Sequence, residues 1–219
     1  MKKINVVTID GPSASGKGEL AKGIANHFNF KLLDSGILYR LFAYFFNLNL
    51  SNQEIAAKIN NEISFKLEEE SFKIFNQSED ITTHLRSEDI AKVASKLSSQ
   101  KEVRESLFLI QRNFYDEKGL VADGRDMGTV VFKDAKLKIF LTASPEVRAK
   151  RRYLELQNRG QEVNMPDLIA DIEERDLKDS SRELSPLLPA DEAHIIDSSN
   201  MSLEEVFSFT ENLVKKEFI

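Results

Sequence analysis

The apolar residues of this chain recur with two spacings that predict alternating strands and helices. Residues 4–9 are mostly β-branched and run into a glycine-containing turn, which predicts a buried strand. Apolar residues four apart then predict a helix over residues 19–28. Further short apolar runs, mostly separated by helical patterns, follow at residues 30–33, 120–122, 137–141 and 195–196. This rhythm predicts an α/β fold with a parallel sheet covered by helices.

One stretch departs from that rhythm. Residues 63–67 and 72–74 alternate between apolar and polar with period two, and an acidic segment joins them. They predict a small antiparallel insert between the second and third core strands. Residues 87–114 return to helical spacing, and a C-terminal helix is predicted by Leu203, Val206, Phe207 and Leu213.

Composition and charge narrow the function. Hydrophobic residues make up 41% of the 219 and charged residues 30%, as in a soluble globular protein. The net charge of −6 does not favour a nucleic-acid polymer as partner, so a phosphate ligand needs local positive charge. The absence of cysteine excludes disulfides and thiolate chemistry. The longest apolar run, residues 41–46, is far shorter than the roughly 18 residues of a membrane span. We therefore expect a cytoplasmic protein.

A glycine-rich loop follows the first predicted strand and precedes the first predicted helix. Gly11, Gly16 and Lys17 have the spacing of a P-loop, in which backbone N–H groups surround phosphates and the lysine reaches the β and γ oxygens. The helix that follows directs its N-terminal dipole at the anion. An accidental match is disfavoured because the loop lies where the mechanism requires it.

The position after the P-loop lysine usually supplies a hydroxyl to Mg²⁺, but here Gly18 and Glu19 follow. No direct protein ligand to the metal is therefore predicted. Mg²⁺ retains waters readily, so outer-sphere partners are expected, with Ser15, Asp10 and Asp123 as the alternatives.

Acidic and basic residues follow the strand predicted at 120–122. Asp123 lies at the strand end, where an aspartate can orient Mg²⁺, although a turn aspartate would explain it equally simply. Arg125 and Asp126 come just beyond, where α/β sheets bind ligands.

Arginines are concentrated on the segment 146–160. Arg148, Arg152 and Arg159 share a helical stripe, with Arg151 beside it. A solvated amphipathic helix would show the same pattern. In an acidic chain with a P-loop, we favour a mobile cover that brings arginines to the triphosphate.

Two further segments offer groups for an anionic ligand. Arg175, Asp179 and Arg182 are spaced to share one helical face, either as an ion-pair ladder or as a site. Arg40 is expected in the first turn of a helix that starts near Ser35, where a cation is disfavoured unless an anion lies nearby. The three histidines show no metal spacing and no nucleophile partner.

Taken in order, these segments resemble the bacterial cytidylate kinases over essentially the whole chain. The resemblance rests on residues 9–18, 33–36 with 39–40, 122–132, and 175–176 with Asp179 and Arg182. It implies a three-layer P-loop kinase fold with a five-stranded parallel sheet. It also implies an NMP-binding insert at about 37–113, whose β part spans about 62–86, and an arginine-bearing lid at about 148–160.

The motifs described above predict the catalytic and ATP-binding residues, and the resemblance implies the acceptor site. The catalytic residues would be Lys17, Arg148, Arg152 and Asp123. The ATP-binding residues would be Gly11, Pro12, Ser13, Ala14, Ser15, Gly16, Lys17, Gly18 and Glu19. The CMP-binding residues would be Ser35, Arg40, Ser95, Arg104, Arg125, Asp126, Arg175, Asp179 and Arg182. In that set the arginines hold the phosphate and base, Asp126 and Asp179 reach the sugar, and Ser95 contacts the cytosine.

The implied reaction is transfer of the γ-phosphoryl group of Mg·ATP to CMP or dCMP by a monomeric enzyme, with no nucleic-acid or membrane partner. Glu19 departs from the family, which usually has threonine there, and its carboxylate would either weaken ATP binding or help place the metal. Two alternatives remain: a P-loop kinase for another small acceptor, or a nucleotide-binding module that has lost catalysis.

Overall fold

The computed structural model describes residues 3–68, 72–158, 160 and 162–218. The elements occur in the following order: β1 (Ile4–Asp10), α1 (Lys17–Phe28), β2 (Lys31–Asp34), α2 (Ser35–Phe46), α3 (Asn52–Glu62), β3 (Ile63–Leu67), β4 (Phe72–Asn76), β5 (Glu79–Asp80), α4 (Thr82–Leu85), α5 (Glu88–Leu97), α6 (Lys101–Arg112), β6 (Leu120–Gly124), a π-helical segment (Met127–Val131), β7 (Ala135–Thr142), α7 (Pro145–Asn158), α8 (Met165–Ser180), β8 (His194–Asp197) and α9 (Leu203–Phe218).

The predicted parallel sheet is confirmed. Five of the described strands form it in the order β2-β6-β1-β7-β8, and every neighbouring pair is parallel. The central strand β1 is buried from Val6 to Asp10, as a sheet covered on both faces requires. Because parallel strands end at one edge, Asp10 at the end of β1 lies beside Gly124 at the end of β6. That edge carries the loops in which the chemistry was predicted.

The antiparallel insert is also confirmed, with one strand more than the sequence pattern showed. β3 and β4 pair in register from Ile63 opposite Asn76 to Leu67 opposite Phe72. The missed strand β5 is only two residues long and both are exposed, so it has no apolar alternation. Part of the predicted acidic turn, residues 69–71, lies outside the described residues. Phe65 stacks on Phe72 with ring centroids 5.9 Å apart, which joins the two longer strands.

The helical region at 87–114 divides into α5 and α6, which are separated by residues 98–100. Each has an apolar face in the core, with Ile90, Ala94 and Leu97 on α5 and Val103 and Leu107 on α6. Within the described part of the chain, no helix is long and apolar enough to cross a membrane.

Candidate functional site

The predicted P-loop joins β1 to α1 and needs glycine at two points. At Gly11, with φ 156°, a Cβ atom would lie 2.0 Å from the Leu141 carbonyl oxygen, so no side chain fits. Gly16 precedes the first residue of α1 with φ 94°, a left-handed conformation that glycine adopts at little cost. The turn therefore brings the N-terminus of α1 directly behind the loop, as phosphate binding requires.

Lys17 is the first residue of α1 and is buried at the loop. Its Nζ donates to the Pro12 carbonyl at 3.1 Å, which holds the ammonium within the P-loop turn. Burial, and then the neighbouring Arg125, lower the pKa of Lys17, while Asp123 acts in the opposite direction. Burial raises the pKa of Asp123, and Lys17 opposes that rise. The two groups are both buried and influence each other's charge.

Two polar atoms beside the loop have no hydrogen-bond partner among the described atoms. They are the Ser15 hydroxyl and Asp123 Oδ1, both buried. Because residue 18 is a glycine, no side chain lies against Asp123 here. A Cβ atom at that position would be in contact with Asp123 Oδ2, at 3.4 Å. Oxygen donors of this kind suit Mg²⁺, which prefers oxygen ligands and retains waters. Ser15 and Asp123 therefore fit the outer-sphere role predicted for them.

The carboxylate of Glu19 is paired with a lysine of its own helix. Its Oε2 lies 2.8 Å from Lys22 Nζ, one helical turn further along α1, and the side chain is largely exposed. Among the described residues, no group of three or more acidic or histidine side chains could hold a metal. The structure thus gives Glu19 an ion-pair partner in Lys22.

Asp10, the third candidate for the metal, is engaged elsewhere. Its Oδ1 accepts from the Met127 amide at 2.8 Å and its Oδ2 from the Gly128 amide at 2.7 Å. Burial is the main reason that the pKa of Asp10 rises to about 7, and the two amide hydrogen bonds oppose it. Because both oxygens accept backbone hydrogen bonds, Ser15 and Asp123 are the better candidates near the metal.

The nine residues assigned to CMP line one cavity of about 310 Å³, which the P-loop also borders through Lys17 and Gly18. They come from six parts of the chain: α2, α5, α6, the loop between β6 and the π-helical segment, α8 and the turn after α8. Two placements differ from the prediction. Arg40 is the sixth residue of α2 and so lies in its second turn, and Arg182 lies beyond the end of α8. The prediction that Arg40 lies in the first turn of a helix was therefore wrong. The prediction that Arg182 shares a helical face with Arg175 and Asp179 was also wrong.

Ion pairs hold the cavity walls in place. Asp179 accepts from Arg125 Nε at 3.0 Å and also pairs with Arg182, while Arg104 pairs with Asp126. Burial raises the pKa of Asp179, but the surrounding arginines outweigh burial and lower it overall. The carboxylate therefore stays ionised among the arginines.

The guanidinium of Arg175 is not fully hydrogen-bonded within the described part of the protein. Its Nε is buried and has no hydrogen-bond partner among the described atoms. Burial, and then the neighbouring Arg125, lower its pKa to about 10, so it remains charged near neutral pH. Arg175 lines the cavity with four other arginines, and this concentration of positive charge is suited to an anionic ligand.

Arg40 is anchored from the insert. Its Nη1 donates to the Leu85 carbonyl at 2.9 Å and to the Ser87 carbonyl at 3.4 Å. Arg40 belongs to α2, but the carbonyl groups at the end of α4 and just before α5 fix the direction of its side chain.

The arginines of α7 are tied to their surroundings. Arg148 is buried and donates to the Ala143 and Ser13 carbonyls at 2.8 and 3.3 Å, and it pairs with Asp176. Arg152 pairs with Glu88 at the start of α5 and with Glu155. Arg159 lies outside the described residues. The catalytic roles of Arg148 and Arg152 stay predictions.

Sequence reasoning missed two residues that support the site. Arg151 donates to the Ser15 carbonyl at 2.8 Å and to the Ser198 carbonyl at 2.9 Å, so it ties the P-loop to the segment after β8. Gln111 donates to the Ser35 hydroxyl at 2.9 Å. Arg151 was seen only as a neighbour of the stripe, and Gln111 occupies a position on α6 that helical spacing does not distinguish from the core.

Comparison with known proteins agrees with this arrangement. The family model described as "Cytidylate kinase" matches residues 7–216. A protein named cytidylate kinase from Acinetobacter baylyi is 45% identical over 96% of both chains. Another of that name, from Shewanella piezotolerans, is 41% identical over 100% of this chain and 98% of its own. A crystal structure of an uncharacterized protein from Eubacterium ventriosum shares the fold alone, with a TM-score of 0.53 at 12% identity over 98% of this chain and 99% of its own. By sequence over nearly its whole length, the chain belongs to the cytidylate kinase family.

Proposed function

We propose that the protein transfers the γ-phosphoryl group of Mg·ATP to CMP or dCMP and releases ADP with CDP or dCDP. The observation that carries the proposal is the shared cavity. The nine predicted acceptor residues line it together with Lys17, Gly18 and Asp123 of the donor side. Two anionic substrates bound at these two sets would meet at Lys17.

On the donor side, the P-loop amides and the N-terminus of α1 bind the phosphates of ATP. Lys17 places its ammonium against the transferred group. When bound, Mg²⁺ supplies neutralisation of the phosphate charge, and Ser15 and Asp123 are the residues that would orient it. Arg151 contributes indirectly, because its hydrogen bond to the Ser15 carbonyl holds the loop.

On the acceptor side, the arginines bind the phosphate of CMP and help to hold its base. Arg175 lines the cavity with a guanidinium whose Nε has no hydrogen-bond partner among the described atoms, and Arg40 is fixed by its hydrogen bond to the Leu85 carbonyl. Asp126 and Asp179 exchange part of their pairing with arginine for the sugar hydroxyls. Ser95, on α5, lies at the same cavity and contacts the cytosine edge.

The transfer itself needs no nucleophile from the protein. An oxygen of the CMP phosphate attacks the γ-phosphorus of ATP in line, and the bond from that phosphorus to the bridging β–γ oxygen breaks as ADP leaves. Lys17, the loop amides, Arg148 and Arg152 stabilise charge on the transferred group. Closing of an insert at about 37–113 and a lid at about 148–160 excludes water, which would otherwise hydrolyse ATP.

The test is ADP formation from Mg·ATP with CMP, dCMP, UMP, AMP and GMP in parallel. We expect CMP and dCMP to be used far better than the purine nucleotides. Preference for a different nucleotide would contradict the proposal that CMP and dCMP are the acceptors. ATP binding without turnover of any of the five nucleotides would favour a nucleotide-binding module that has lost catalysis. Arg175→Ala should raise the KM for CMP with little change in the KM for ATP. A matched control is Lys178→Ala, which removes an exposed cation from the same helix.

The cytoplasmic localisation and the monomeric state expected from the sequence stay predictions. Sedimentation of the purified protein tests the second.

A further inference from the structure

Asp10 occupies a position between the two halves of the site. It is the last residue of β1 and directly precedes Gly11, where the donor loop begins. Its side chain is only 5% exposed, and both carboxylate oxygens face the segment after β6. The side chain thus connects the donor strand to a loop on the acceptor side.

The two amides that it binds have no simple substitute. Met127 and Gly128 begin the π-helical segment, so their N–H groups lack the intrahelical acceptors that later residues have. Both residues are buried, and a buried amide without a partner is costly. The carboxylate of Asp10 supplies one oxygen to each amide.

Gly128 permits the close approach of the π-helical segment to β1. A Cβ atom at that position would lie 2.8 Å from Thr8 Oγ1 and 3.3 Å from Asp10 Oδ2. The start of the π-helical segment therefore rests directly on β1, with Asp10 as its hydrogen-bonding partner.

The residues held by this contact belong to the acceptor cavity. β6 ends at Gly124, so Arg125 and Asp126 lie between the end of the sheet and the amides that Asp10 binds. Arg125 then reaches Asp179, and Asp126 reaches Arg104. Moving Met127 and Gly128 off β1 would displace Arg125 and Asp126 first.

We propose that Asp10 is a positioning residue for the acceptor site, acting through the Met127 and Gly128 amides on Arg125 and Asp126. This inference rests on the acceptor role proposed for those two residues. It gives Asp10 a task distinct from the outer-sphere metal role considered from sequence. It also explains why a buried carboxylate lies beside the P-loop without facing the P-loop.

The experiment compares Asp10→Asn with the wild type at pH 8, where the wild-type carboxyl is mostly ionised. Asparagine keeps one oxygen but places an NH₂ group against the other amide, so one hydrogen bond becomes a repulsion. Calorimetry should show the Kd for CMP, measured without ATP, rising about tenfold or more, since one charge-assisted hydrogen bond is lost. The Kd for ATP, measured without CMP, should stay within about twofold. Thr8→Val is the matched control, since it alters the neighbouring buried side chain and breaks no hydrogen bond of the described residues, and it should change neither value.

A second variant keeps the inference testable if Asp10→Asn does not fold. Gly128→Ala leaves Asp10 intact but lifts the segment from β1, and it should raise the Kd for CMP in the same selective way. Equal weakening of ATP and CMP, or a lower melting temperature with both affinities unchanged, would overturn the inference. If the wild type in the same series does not bind CMP, the proposed function fails first and the inference fails with it.

Discussion

Gln111 on α6 donates a hydrogen bond of 2.9 Å to the hydroxyl of Ser35, the first residue of α2, although the two are 76 residues apart. Both side chains are buried. A hydroxyl that accepts from an amide keeps its own proton for another acceptor. Ser35 lines the cavity proposed to bind CMP, so in that proposal the proton is available to a substrate oxygen.

This contact leads to the first prediction. Gln111→Glu replaces the amide donor by a carboxylate, which accepts the Ser35 proton and adds negative charge near the phosphate site. We expect the KM for CMP to rise about tenfold, and Gln111→Met, which removes the donor without adding charge, to have a smaller effect. Steady-state kinetics at saturating ATP measure both.

A double-mutant cycle isolates the contact. In a Ser35→Ala background, Gln111→Met should have little further effect on the KM for CMP. Full additivity of the two substitutions would show that Gln111 acts independently of Ser35.

Lys17 provides the second prediction. Lys17→Met removes the buried ammonium that the Pro12 carbonyl holds at the loop, and we expect kcat to fall by about two orders of magnitude or more, as for other groups that stabilise transition-state charge. Lys31→Ala, which removes an exposed cation paired with Asp116, should leave kcat unchanged. A change confined to the KM for ATP would instead assign Lys17 to ground-state binding.

The third prediction concerns Glu19, which lines the donor side beside Gly18 but is paired with Lys22. Lys22→Ala should leave its negative charge uncompensated and raise the KM for ATP a fewfold, with the effect shrinking at high salt. Adding Glu19→Gln to that variant should restore the wild-type value. If Glu19→Gln alone raises the Mg²⁺ concentration needed for half-maximal activity, Glu19 is close to the metal and the ion-pair account is wrong.

The fourth prediction follows from the raised pKa of Asp10. Its pKa is about 7 in the folded protein and near its ordinary value of 3.8 when unfolded. The folded state therefore holds the proton more tightly, and the contribution of Asp10 to stability is full below pH 4 and is lost as the pH rises toward 7.

The loss approaches about 1.4 kcal/mol per pH unit between those values. Urea unfolding at several pH values should show the free energy of unfolding of the wild type, relative to Asp10→Asn, falling over this interval. A constant difference between the two proteins from pH 4 to pH 7 would contradict the shift.

The acceptor site shows how far residue spacing can predict a site. The segment with Arg125 and Asp126 was identified as ligand-binding from its position, whereas the spacing of Arg175 and Asp179 fitted an ion-pair ladder as well as a site. Ser95 and Arg104 looked like ordinary helix residues and came only from the family resemblance. Arg182 was expected on the same helix face as Arg175 and Asp179, yet it reaches Asp179 from beyond the end of α8.

The amino-acid sequence by itself determined the five strands of the parallel sheet, the two longer strands of the antiparallel sheet, several of the helices and the P-loop. Each of these depends on contiguous residues, whether through apolar periodicity or through the spacing of the loop glycines and lysine. Only the tertiary structure decided that Asp10 faces Met127 and Gly128, that Gln111 meets Ser35, and that Glu19 turns to Lys22. The first two contacts join elements far apart in the chain, so the packing of the sheet and helices sets them. The third needed side-chain directions, which residue spacing permits but does not specify.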